Sequence, residues 1–454
     1  MSTVAAISTP LSEGGIAVIR ISGDKAFSVA EKVFRPISSD KKISEMKGYT
    51  CAFGKIFMGE EEIDEGVLTV FRAPKSYTGE DVIEISCHGG VFVAKKVLSA
   101  TIKAGCEIAA AGEFTKRAFL NGKLSLTEAE SVIDIISAGG EQARKAAVSA
   151  KEGALYKRIS AIRDKILKIL GELSAWVDYP EEDIAELTPE ELSSTLSAIH
   201  EELLSLSKTY DNGRVLRNGI DTAIVGRANV GKSTLMNRFL GFDRSIVTDI
   251  EGTTRDIVEE TAMVGDILLK LSDTAGIRET GDVVESIGVE RSIRKLFEAD
   301  LVLAVFDASE KLSDEDEKII EKVKEKKVIP IINKCEKGNE IDIEKIENLL
   351  GKSVSISAKT GEGIDNLEKK ISEIFSFGTI DYSSGMIANE RQKNCVDKAL
   401  LSISEAVSLV DMGETFDALT VVLDEALSAV LELSGERVTE AVVDEVFSHF
   451  CVGK

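Results

Sequence analysis

The sequence predicts a multidomain protein that combines α/β and all-α parts. Short β-rich runs bounded by glycines, such as GIAVIRIS and VIEISCHGG, indicate a mixed α/β domain over residues 1–120. Amphipathic helical spacing covers residues 121–213 and returns over 379–454. Between these stretches, residues 214–378 alternate strands with helices, which is typical of a doubly wound parallel sheet. We therefore expect a compact α/β domain inserted into one discontinuous helical domain.

The boundaries of the helical parts have local signals. SLTE at Ser125–Glu128 is a capping box, and apolar residues follow it at helical spacing, so a helix is predicted to begin there. The segment YDNGRVLRNG, with two glycines and an asparagine, predicts a break before the inserted domain. After that domain the polar run GTIDYSSG predicts a linker.

Composition limits the classes of function. A length of 454 residues suggests about three domains. A formal net charge of −23 argues against a general nucleic-acid binder. No apolar run is long enough to span a bilayer and no signal peptide is visible, so no membrane association is expected. Six cysteines without CxxC spacing are typical of reduced thiols, and we expect a cytoplasmic protein.

One segment departs from the acidic average. Residues 144–168 hold 8 basic and 2 acidic side chains, and Lys151, Arg158 and Lys165 recur every seven residues. A solvated helix surface is the ordinary explanation of such a run. The alternative is a stripe that contacts phosphates, in which case reversing Arg158 and Lys165 to glutamate weakens the binding of the phosphate-bearing partner.

A nucleotide site is predicted at the start of the inserted domain. GRANVGKS at Gly226–Ser233 fits GxxxxGK[ST] and lies between a predicted strand and a predicted helix. Glycines let backbone N–H groups surround phosphate oxygens, Lys232 places a cation on the β- and γ-phosphates, and the Ser233 hydroxyl ligates Mg²⁺.

Further motifs follow in the order of a Ras-like P-loop GTPase domain. GTTRD and DTAG are predicted switch motifs, in which Thr254 is a second Mg²⁺ ligand and Asp273 holds a metal-bound water. NKCE and SAK follow later strands as base reader and base-supporting loop. The residues expected to bind GTP are Asn229, Val230, Gly231, Lys232, Ser233, Thr234, Thr248, Asp249, Ile250, Glu251, Gly252, Thr253, Thr254, Asp273, Thr274, Ala275, Gly276, Asn333, Lys334, Glu336, Ser357, Ala358 and Lys359.

Three positions in these motifs need separate explanations. Ile277 stands where many GTPases carry the glutamine that orients the attacking water, so Glu285 is an alternative that could act through a relay. Without outside support, a solvated glutamate is the ordinary reading of Glu285. Asn229 could help hold a monovalent cation against the phosphates. Glu336 replaces the usual aspartate of NKxD, so we expect guanine preference with looser geometry.

The whole chain resembles the MnmE family of tRNA-modification GTPases. The resemblance depends on GGIAVIRISG, SYTGEDVIEISCHGG, GEFTKRAFLNGKLSLTEAE, the inserted GTPase motifs and the terminal CVGK. It implies an N-terminal dimerisation and folate-binding domain, a discontinuous helical domain and a potassium-activated GTPase domain. It also implies that a homodimer and a flavin-dependent partner, which carries FAD, modify C5 of the wobble uridine (position 34) of certain tRNAs with an aminomethyl or carboxymethylaminomethyl group.

The resemblance also implies roles for individual residues. Arg20, Glu84, Lys123 and Lys454 match positions that bind a reduced folate, either 5-formyl- or 5,10-methylene-tetrahydrofolate. Asn229, Thr248, Ile250 and Thr253 match potassium ligands, and Ser233 and Thr254 match magnesium ligands. Glu285 matches the glutamate that activates water, and Cys451 lies near the one-carbon unit. Glu336 departs from the family's aspartate and leaves base selectivity open.

The ending FCVGK admits three explanations: a frayed terminus, a lipid-attachment box, or a segment that reaches into a site. A final lysine and the absence of a preceding polybasic stretch disfavour prenylation of Cys451. The resemblance favours a tail that folds back into the folate pocket.

Two other classes of function share the nucleotide motifs. A ribosome-assembly or RNA-scaffold GTPase without modification chemistry would contain everything from Gly226 to Lys359, but no GXXG loop in basic surroundings is present in the flanks. A septin-like polymerising GTPase has no support outside the nucleotide-binding domain. GTP hydrolysis measured in KCl and NaCl, with a folate titration, separates these possibilities from the modification enzyme.

Overall fold

The computed structural model describes residues 1–37, 42–178, 188–242, 260–273, 295–375 and 381–454. The chain forms two compact units. One unit contains Met1–Ile133, Ile159–Leu192 and Glu405–Lys454, and the other contains Asp134–Arg158 and Ser193–Ser404. The predicted combination of α/β and all-α parts is confirmed, because both sheets and a large set of helices are present. Among the helices in the described ranges, none has the length and apolar character needed to cross a bilayer.

The first unit contains a seven-stranded sheet with the order β3-β4-β5-β6-β2-β1-β7. Neighbouring strands are antiparallel except for the parallel pair β1 and β7. The strands are β1 Val4–Ile7, β2 Ile16–Ser22, β3 Phe34–Pro36, β4 Thr50–Met58, β5 Glu61–Phe71, β6 Val82–His88 and β7 Glu107–Ile108. The helices of this part are α1 Ala26–Val33, α2 Val91–Ala104 and α3 Glu113–Leu120.

One face of this sheet forms an apolar core with α1 and α2. The alternating residues Ala17, Ile19 and Ile21 of β2 point into this core, and so do Ile83 and Ile85 of β6. The strand period of two places the intervening residues on the opposite face. Polar and charged side chains at those positions, including Arg20 and Glu84, are therefore presented away from the core.

The second unit contains a six-stranded sheet with the order β13-β12-β11-β8-β10-β9. Its strands are β8 Ile220–Val225, β9 Glu260–Val264, β10 Ile267–Asp273, β11 Leu301–Asp307, β12 Val328–Asn333 and β13 Val354–Ser355. Five strands are parallel, as predicted. The edge strand β9, which was not predicted from the sequence, pairs antiparallel with β10 through a tight connection at Gly265. The helices associated with this sheet are α9 Lys232–Phe242, α10 Asp314–Val323, α11 Ile343–Leu350 and α12 Ile364–Ile374.

The remaining helices come before and after the six-stranded sheet in the chain. They are α4 Leu126–Ser137, α5 Glu141–Lys151, α6 Ala154–Asp178, α7 Pro189–Ser207, α8 Tyr210–Asn218, α13 Glu390–Met412, α14 Phe416–Ser434 and α15 Glu440–Ser448. The capping box before α4 is confirmed, since the Ser125 backbone N–H donates to the Glu128 carboxylate at 2.6 Å and the Glu128 N–H donates to Ser125 Oγ at 3.3 Å.

The predicted break at YDNGRVLRNG is wrong, because Tyr210–Asn218 forms helix α8. Gly213 lies inside this helix for a packing reason: a Cβ there would be 2.1 Å from the carbonyl oxygen of Ile387. The helix is also held by charge, since Arg217 Nε donates to Asp134 Oδ1 at 2.6 Å. Composition alone indicated a break, but a close tertiary contact explains the glycine.

This contact predicts that replacing Gly213 by alanine lowers stability, which is the opposite of the usual effect of this change in a helix. Alanine in a helix is normally favoured over glycine by about 0.5–1 kcal/mol. We expect Gly213→Ala to destabilise the protein by about 1–3 kcal/mol because the new methyl group overlaps the Ile387 carbonyl. Gly171→Ala in α6 is the matched control, since nothing lies within 4 Å of its Cβ position. Thermal unfolding should shift in opposite directions for the two variants, and a stabilised Gly213→Ala would contradict the contact.

The proposed basic stripe does not form. Helix α5 ends at Lys151 and α6 begins at Ala154, so Lys151 lies on a different helix from Arg158. The Arg158 guanidinium donates to the carbonyl oxygens of Gly385 and Glu202, both at 3.3 Å, and to Ser205. A charge reversal at Arg158 would therefore break internal contacts, and the stripe prediction is wrong for this residue.

Candidate functional site

The loop Gly226–Ser233 connects β8 to α9 at the carboxyl edge of the parallel strands. Its backbone requires small residues, because a Cβ on Gly226 would lie 2.5 Å from the carbonyl oxygen of Val305. Gly231 has φ +101°, and its Cβ would lie 2.3 Å from Asn333 Nδ2. Asn229 adopts a left-handed conformation with φ 63°. This geometry is that of a loop that presents backbone N–H groups to an anion.

Three polar side chains lie at the start of α9, in the positions that phosphate chemistry needs. Lys232 Nζ donates to the carbonyl oxygens of Gly226 at 2.7 Å and Arg227 at 2.8 Å, so the cation lies across the loop. Ser233 and Thr234 are exposed at the helix N-terminus. The dipole of α9 adds positive potential at the same place.

The base-reading motif is bound directly to the phosphate loop. Asn333 ends β12 and is 2% exposed. Its Nδ2 donates to the Val230 carbonyl at 2.8 Å, and its Oδ1 accepts from the Ala358 N–H at 2.9 Å. Lys334 Nζ donates to the Asn229 carbonyl at 2.6 Å. The structure thus brings the phosphate loop, NKCE and SAK together, as a guanine nucleotide site requires.

Glu336 is held in a charged form at the edge of this assembly. Its own backbone N–H and the Ser357 hydroxyl donate to its carboxylate, and these hydrogen bonds lower the pKa of Glu336. Ser357 itself is buried, whereas Glu336 is exposed. The longer side chain therefore presents an ionised acceptor pair beside the base-supporting loop.

We expect Glu336 to retain guanine selectivity. Hydrogen bonds to a charged group contribute strongly, so Glu336→Ala should weaken GTP binding by about 10- to 100-fold and leave ATP binding unchanged. Glu336→Asp, the matched control, should keep the preference because it keeps both acceptor oxygens. Competition of GTP and ATP against a fluorescent guanine nucleotide measures both affinities. Equal binding of GTP and ATP by the unmodified chain would refute the assignment.

Several predicted residues lie outside the described residues and stay predictions. They are Thr248, Asp249, Ile250, Glu251, Gly252, Thr253, Thr254, Thr274, Ala275, Gly276 and Glu285. Asp273 ends β10, and its backbone is paired with Ile224 of β8. Asp273, the first residue of DTAG, therefore lies beside the strand that leads into the phosphate loop.

The last residues of the chain pack onto the N-terminal α/β part and are not frayed. Val452 forms an antiparallel bridge with Ala111. The Gly112 N–H donates to the Cys451 carbonyl at 3.3 Å, and the Phe114 N–H donates to the Lys454 carbonyl at 3.1 Å. This segment, CVGK at residues 451–454, is called the tail below.

Arg20 and Glu84 lie where the tail meets the sheet. They are register partners on β2 and β6, and Arg20 Nε donates to Glu84 Oε1 at 2.8 Å. Arg20 Nη1 also donates to the Gly453 carbonyl at 3.4 Å, and Ser8 Oγ donates to the same oxygen at 3.0 Å. Three of the four predicted folate positions, Arg20, Glu84 and Lys454, thus belong to one connected set of contacts.

The other two residues of this region are placed less centrally. Lys123 follows α3; its Nζ donates to the Pro74 carbonyl at 3.0 Å, and its side chain lies against Gly79. Cys451 is exposed at the start of the tail. The structure therefore links Lys123 to the 74–79 segment and leaves the Cys451 thiol accessible.

Comparison with known proteins identifies the family of the chain. The model of the GTP-binding protein TrmE N-terminus matches residues 3–123, and the model of the MnmE helical domain matches residues 126–451. A protein from Acetivibrio thermocellus called tRNA modification GTPase MnmE is 43% identical over 100% of this chain and 99% of its own length. The chain belongs to the MnmE family. Its resemblance to that family, read from the motifs, is confirmed.

Other relatives give the same assignment. Proteins of the same name from Clostridioides difficile strain 630 and Lachnoclostridium phytofermentans are 44% and 43% identical, each over 100% of this chain and 99% of the relative. This MnmE-family chain has the GxxxxGK[ST] loop and its full-length relatives are called GTPases, so it is a P-loop GTPase.

Two solved structures resemble part of the MnmE-family chain. The G domain of T. maritima FeoB is 26% identical and covers 34% of this chain and 96% of that domain, with a TM-score of 0.26. Aquifex aeolicus Era bound to GDP·AlF4⁻ is 30% identical and covers 40% of this chain and 65% of that protein, with a TM-score of 0.27.

Some residues of the MnmE-family sites were missed by sequence reasoning. Arg117 of α3 is 3% exposed and pairs with Glu80 and Glu113. Asp307 ends β11 and accepts from Lys334, which in turn holds the phosphate loop. Of these contacts, only the Glu113–Arg117 pair could have been predicted from the sequence, because its i, i+4 spacing is typical of an ion pair on a helix. The other contacts join residues far apart in sequence.

Proposed function

We propose that this chain is a potassium-dependent GTPase that acts with a flavin-dependent partner in tRNA modification. The reaction places an aminomethyl or carboxymethylaminomethyl group on C5 of the wobble uridine, position 34, of certain tRNAs, with a reduced folate as one-carbon donor. The observation that carries the proposal is the full-length similarity to proteins called tRNA modification GTPase MnmE. A ribosome-assembly or RNA-scaffold GTPase is the alternative, and the match of the flanking regions argues against it.

In the nucleotide site, the residues fit phosphates and two kinds of cation. Lys232 lies across a loop of left-handed and glycine positions, and the Ser233 hydroxyl is exposed at the N-terminus of α9. Ser233 and Thr254 would hold Mg²⁺, and Asn229, Thr248, Ile250 and Thr253 would hold K⁺. Bound cations stabilise the negative charge that develops on transferred phosphate. Glu285 would orient the attacking water.

In the tail region, the donors and acceptors fit a reduced folate. A carboxylate such as Glu84 can accept from the donor edge of a pterin, and Arg20, Lys123 or Lys454 can pair with the carboxylates of the folate tail. Either 5-formyl- or 5,10-methylene-tetrahydrofolate would supply the one-carbon unit. The accessible thiol of Cys451 would lie beside that unit, within the segment that the Ala111 bridge holds in place.

We propose that a second copy of the chain covers the open face of the N-terminal sheet. Val18, Ser86, Val67 and Phe53 are successive register partners across four strands on the face opposite the core. Phe53 is 49% and Val67 38% exposed, and Ile16, two residues before Val18, is 67% exposed. A row of exposed apolar side chains on a sheet is typical of a contact with another protein.

The homodimer has a direct test. We expect Val67→Glu to shift the chain from dimer to monomer, because a charge would be buried without a partner in the interface. Sedimentation equilibrium measures the mass of the species. Lys95→Glu, at an exposed position of α2, which packs on the other face of the sheet, is the control. An unchanged dimer in Val67→Glu would place the interface elsewhere.

The remaining partners follow from the proposed reaction. The flavin-dependent protein would carry FAD and form a hetero-oligomer with this chain in the cytoplasm. Because the net charge of this chain is −23, the partner would supply most of the surface that binds tRNA.

Two measurements on one sample test the proposal. We expect GTP hydrolysis to be much faster in KCl than in NaCl, and 5-formyl-tetrahydrofolate to bind with saturation in an equilibrium titration. A chain that hydrolyses GTP equally in both salts and ignores reduced folates would be a GTPase of some other role. Modification of a tRNA transcript in the presence of the partner then separates the enzyme from a scaffold protein.

A further inference from the structure

The Arg20 side chain contacts an acidic residue, the tail and two aromatic rings. Its guanidinium donates to Glu84 and to the tail at Gly453, and its side chain is 16% exposed. The guanidinium carbon lies 5.4 Å from the ring centroid of Tyr77 and 5.4 Å from that of Phe114. Both distances are within the range of cation–π attraction.

The two rings belong to segments that are themselves fixed near the tail. Tyr77 precedes β6, and its hydroxyl shares a hydrogen bond of 2.8 Å with Thr115 Oγ1 on α3. Burial raises the pKa of Tyr77, so its hydroxyl stays neutral. Phe114 is fully buried, and its backbone N–H binds the Lys454 carbonyl. The start of α3 therefore contacts Tyr77, Arg20 and the tail together.

The tail lies so close to β1 that position 453 has no room for a side chain. Gly453 has φ +95°, and a Cβ there would lie 2.3 Å from the Ile7 carbonyl oxygen. Its carbonyl accepts from both Ser8 and Arg20. The position of the Arg20 guanidinium thus contributes one of the two side-chain hydrogen bonds on this oxygen.

We propose that Tyr77 is a positioning residue, whose ring holds the Arg20 guanidinium between Glu84 and the docked tail. Arginine has a long side chain with many rotamers, so an adjacent ring limits the places that its charge can occupy. With the ring present, one cation joins β6, β2 and the tail, and the tail stays seated. The proposal depends on the proposed function only for the ligand, since it assigns Tyr77 the task of keeping the folate pocket assembled.

The test compares Tyr77→Leu with Tyr77→Phe. Hydrogen exchange is followed at the Gly112 and Phe114 amides, whose acceptors are the tail carbonyls of Cys451 and Lys454. Tyr77→Leu should speed exchange at both amides. Loss of a partly buried cation–π contact, worth about 1–2 kcal/mol, should raise the Kd for 5-formyl-tetrahydrofolate about tenfold. Tyr77→Phe keeps the ring and should restore both properties.

Two further measurements make the outcome specific. Potassium-stimulated GTP hydrolysis should be the same in all variants, because Tyr77 lies in the other compact unit. Gly453→Ala, which forces the tail off the Ile7 carbonyl without touching Tyr77, should reproduce the fast exchange and the weak folate binding.

The proposal is overturned if Tyr77→Leu exchanges and binds folate like the unmodified chain, or if Tyr77→Phe is as impaired as Tyr77→Leu. If Tyr77→Leu does not fold, Tyr77→Met carries the test, because it also removes the ring but keeps a long, adaptable apolar side chain; unchanged exchange at Phe114 would then overturn the proposal. Faster exchange in Tyr77→Leu, with no folate binding by the unmodified chain, would support the positioning role and reject the folate assignment.

Discussion

Lys232→Ala is expected to reduce GTP hydrolysis at least about a hundredfold, the effect of removing one preorganised charge from a phosphate-transfer site. In the structure its Nζ lies across the loop on the carbonyl oxygens of Gly226 and Arg227. Lys232→Arg should not restore activity, because a planar guanidinium does not match the compact ammonium group in geometry. Steady-state phosphate release measures the rate.

The control for this variant is Lys318→Ala, which removes an exposed lysine from α10. It should hydrolyse GTP at the rate of the unmodified chain. If Lys232→Ala retained most of its activity, the loop Gly226–Ser233 would not be the catalytic phosphate site.

The second large effect concerns stability of the N-terminal part. Arg117 is 4% exposed at its side chain, with Nη1 3.0 Å from Glu80 Oε2 and Nη2 2.6 Å from Glu113 Oε1. Its Nη1 also donates to the Ser2 carbonyl at 2.8 Å. Arg117→Ala would leave two carboxylates without their buried cation, and loss of one partner of a buried ion pair costs about 3–5 kcal/mol. Urea unfolding should show that loss.

Arg144→Ala is the matched control for Arg117→Ala. Arg144 also pairs with a glutamate on the preceding turn, Glu141, but both side chains are largely in water. Exposed pairs of this kind contribute little, so the unfolding curve should not move. Equal stability of Arg117→Ala and Arg144→Ala would mean that the buried network is not needed for folding.

The parts of the fold that were predicted from the sequence are those with local causes. The strands of the inserted domain are short apolar runs, and the phosphate loop requires small residues at fixed spacing, so both are visible without a partner segment. Ser125 and Glu128 form their capping box within four residues. These features do not depend on what packs against them.

The failures have non-local causes. Gly213 predicts a break only if its neighbour is ignored, and that neighbour, Ile387, is far away in sequence. Arg158 was expected at a surface because charge was counted along one helix, whereas its acceptors come from other segments. The edge strand β9 was missed because it is short and its pairing with β10 decides its structure. A sequence pattern reflects neighbours along the chain, so it does not reveal contacts between distant segments.

Because the tail is the last segment to be synthesised, it docks onto the N-terminal part only at the end of translation. Ser8 and Gly453 are hydrogen-bonded across 445 positions of sequence. At about 5–20 residues per second, a ribosome needs on the order of 20 to 90 s to synthesise the intervening chain. The seven-stranded sheet leaves the exit tunnel long before the segment that closes its end. A nascent chain therefore lacks the docked tail until translation is almost complete, and a product truncated before residue 451 would never acquire it.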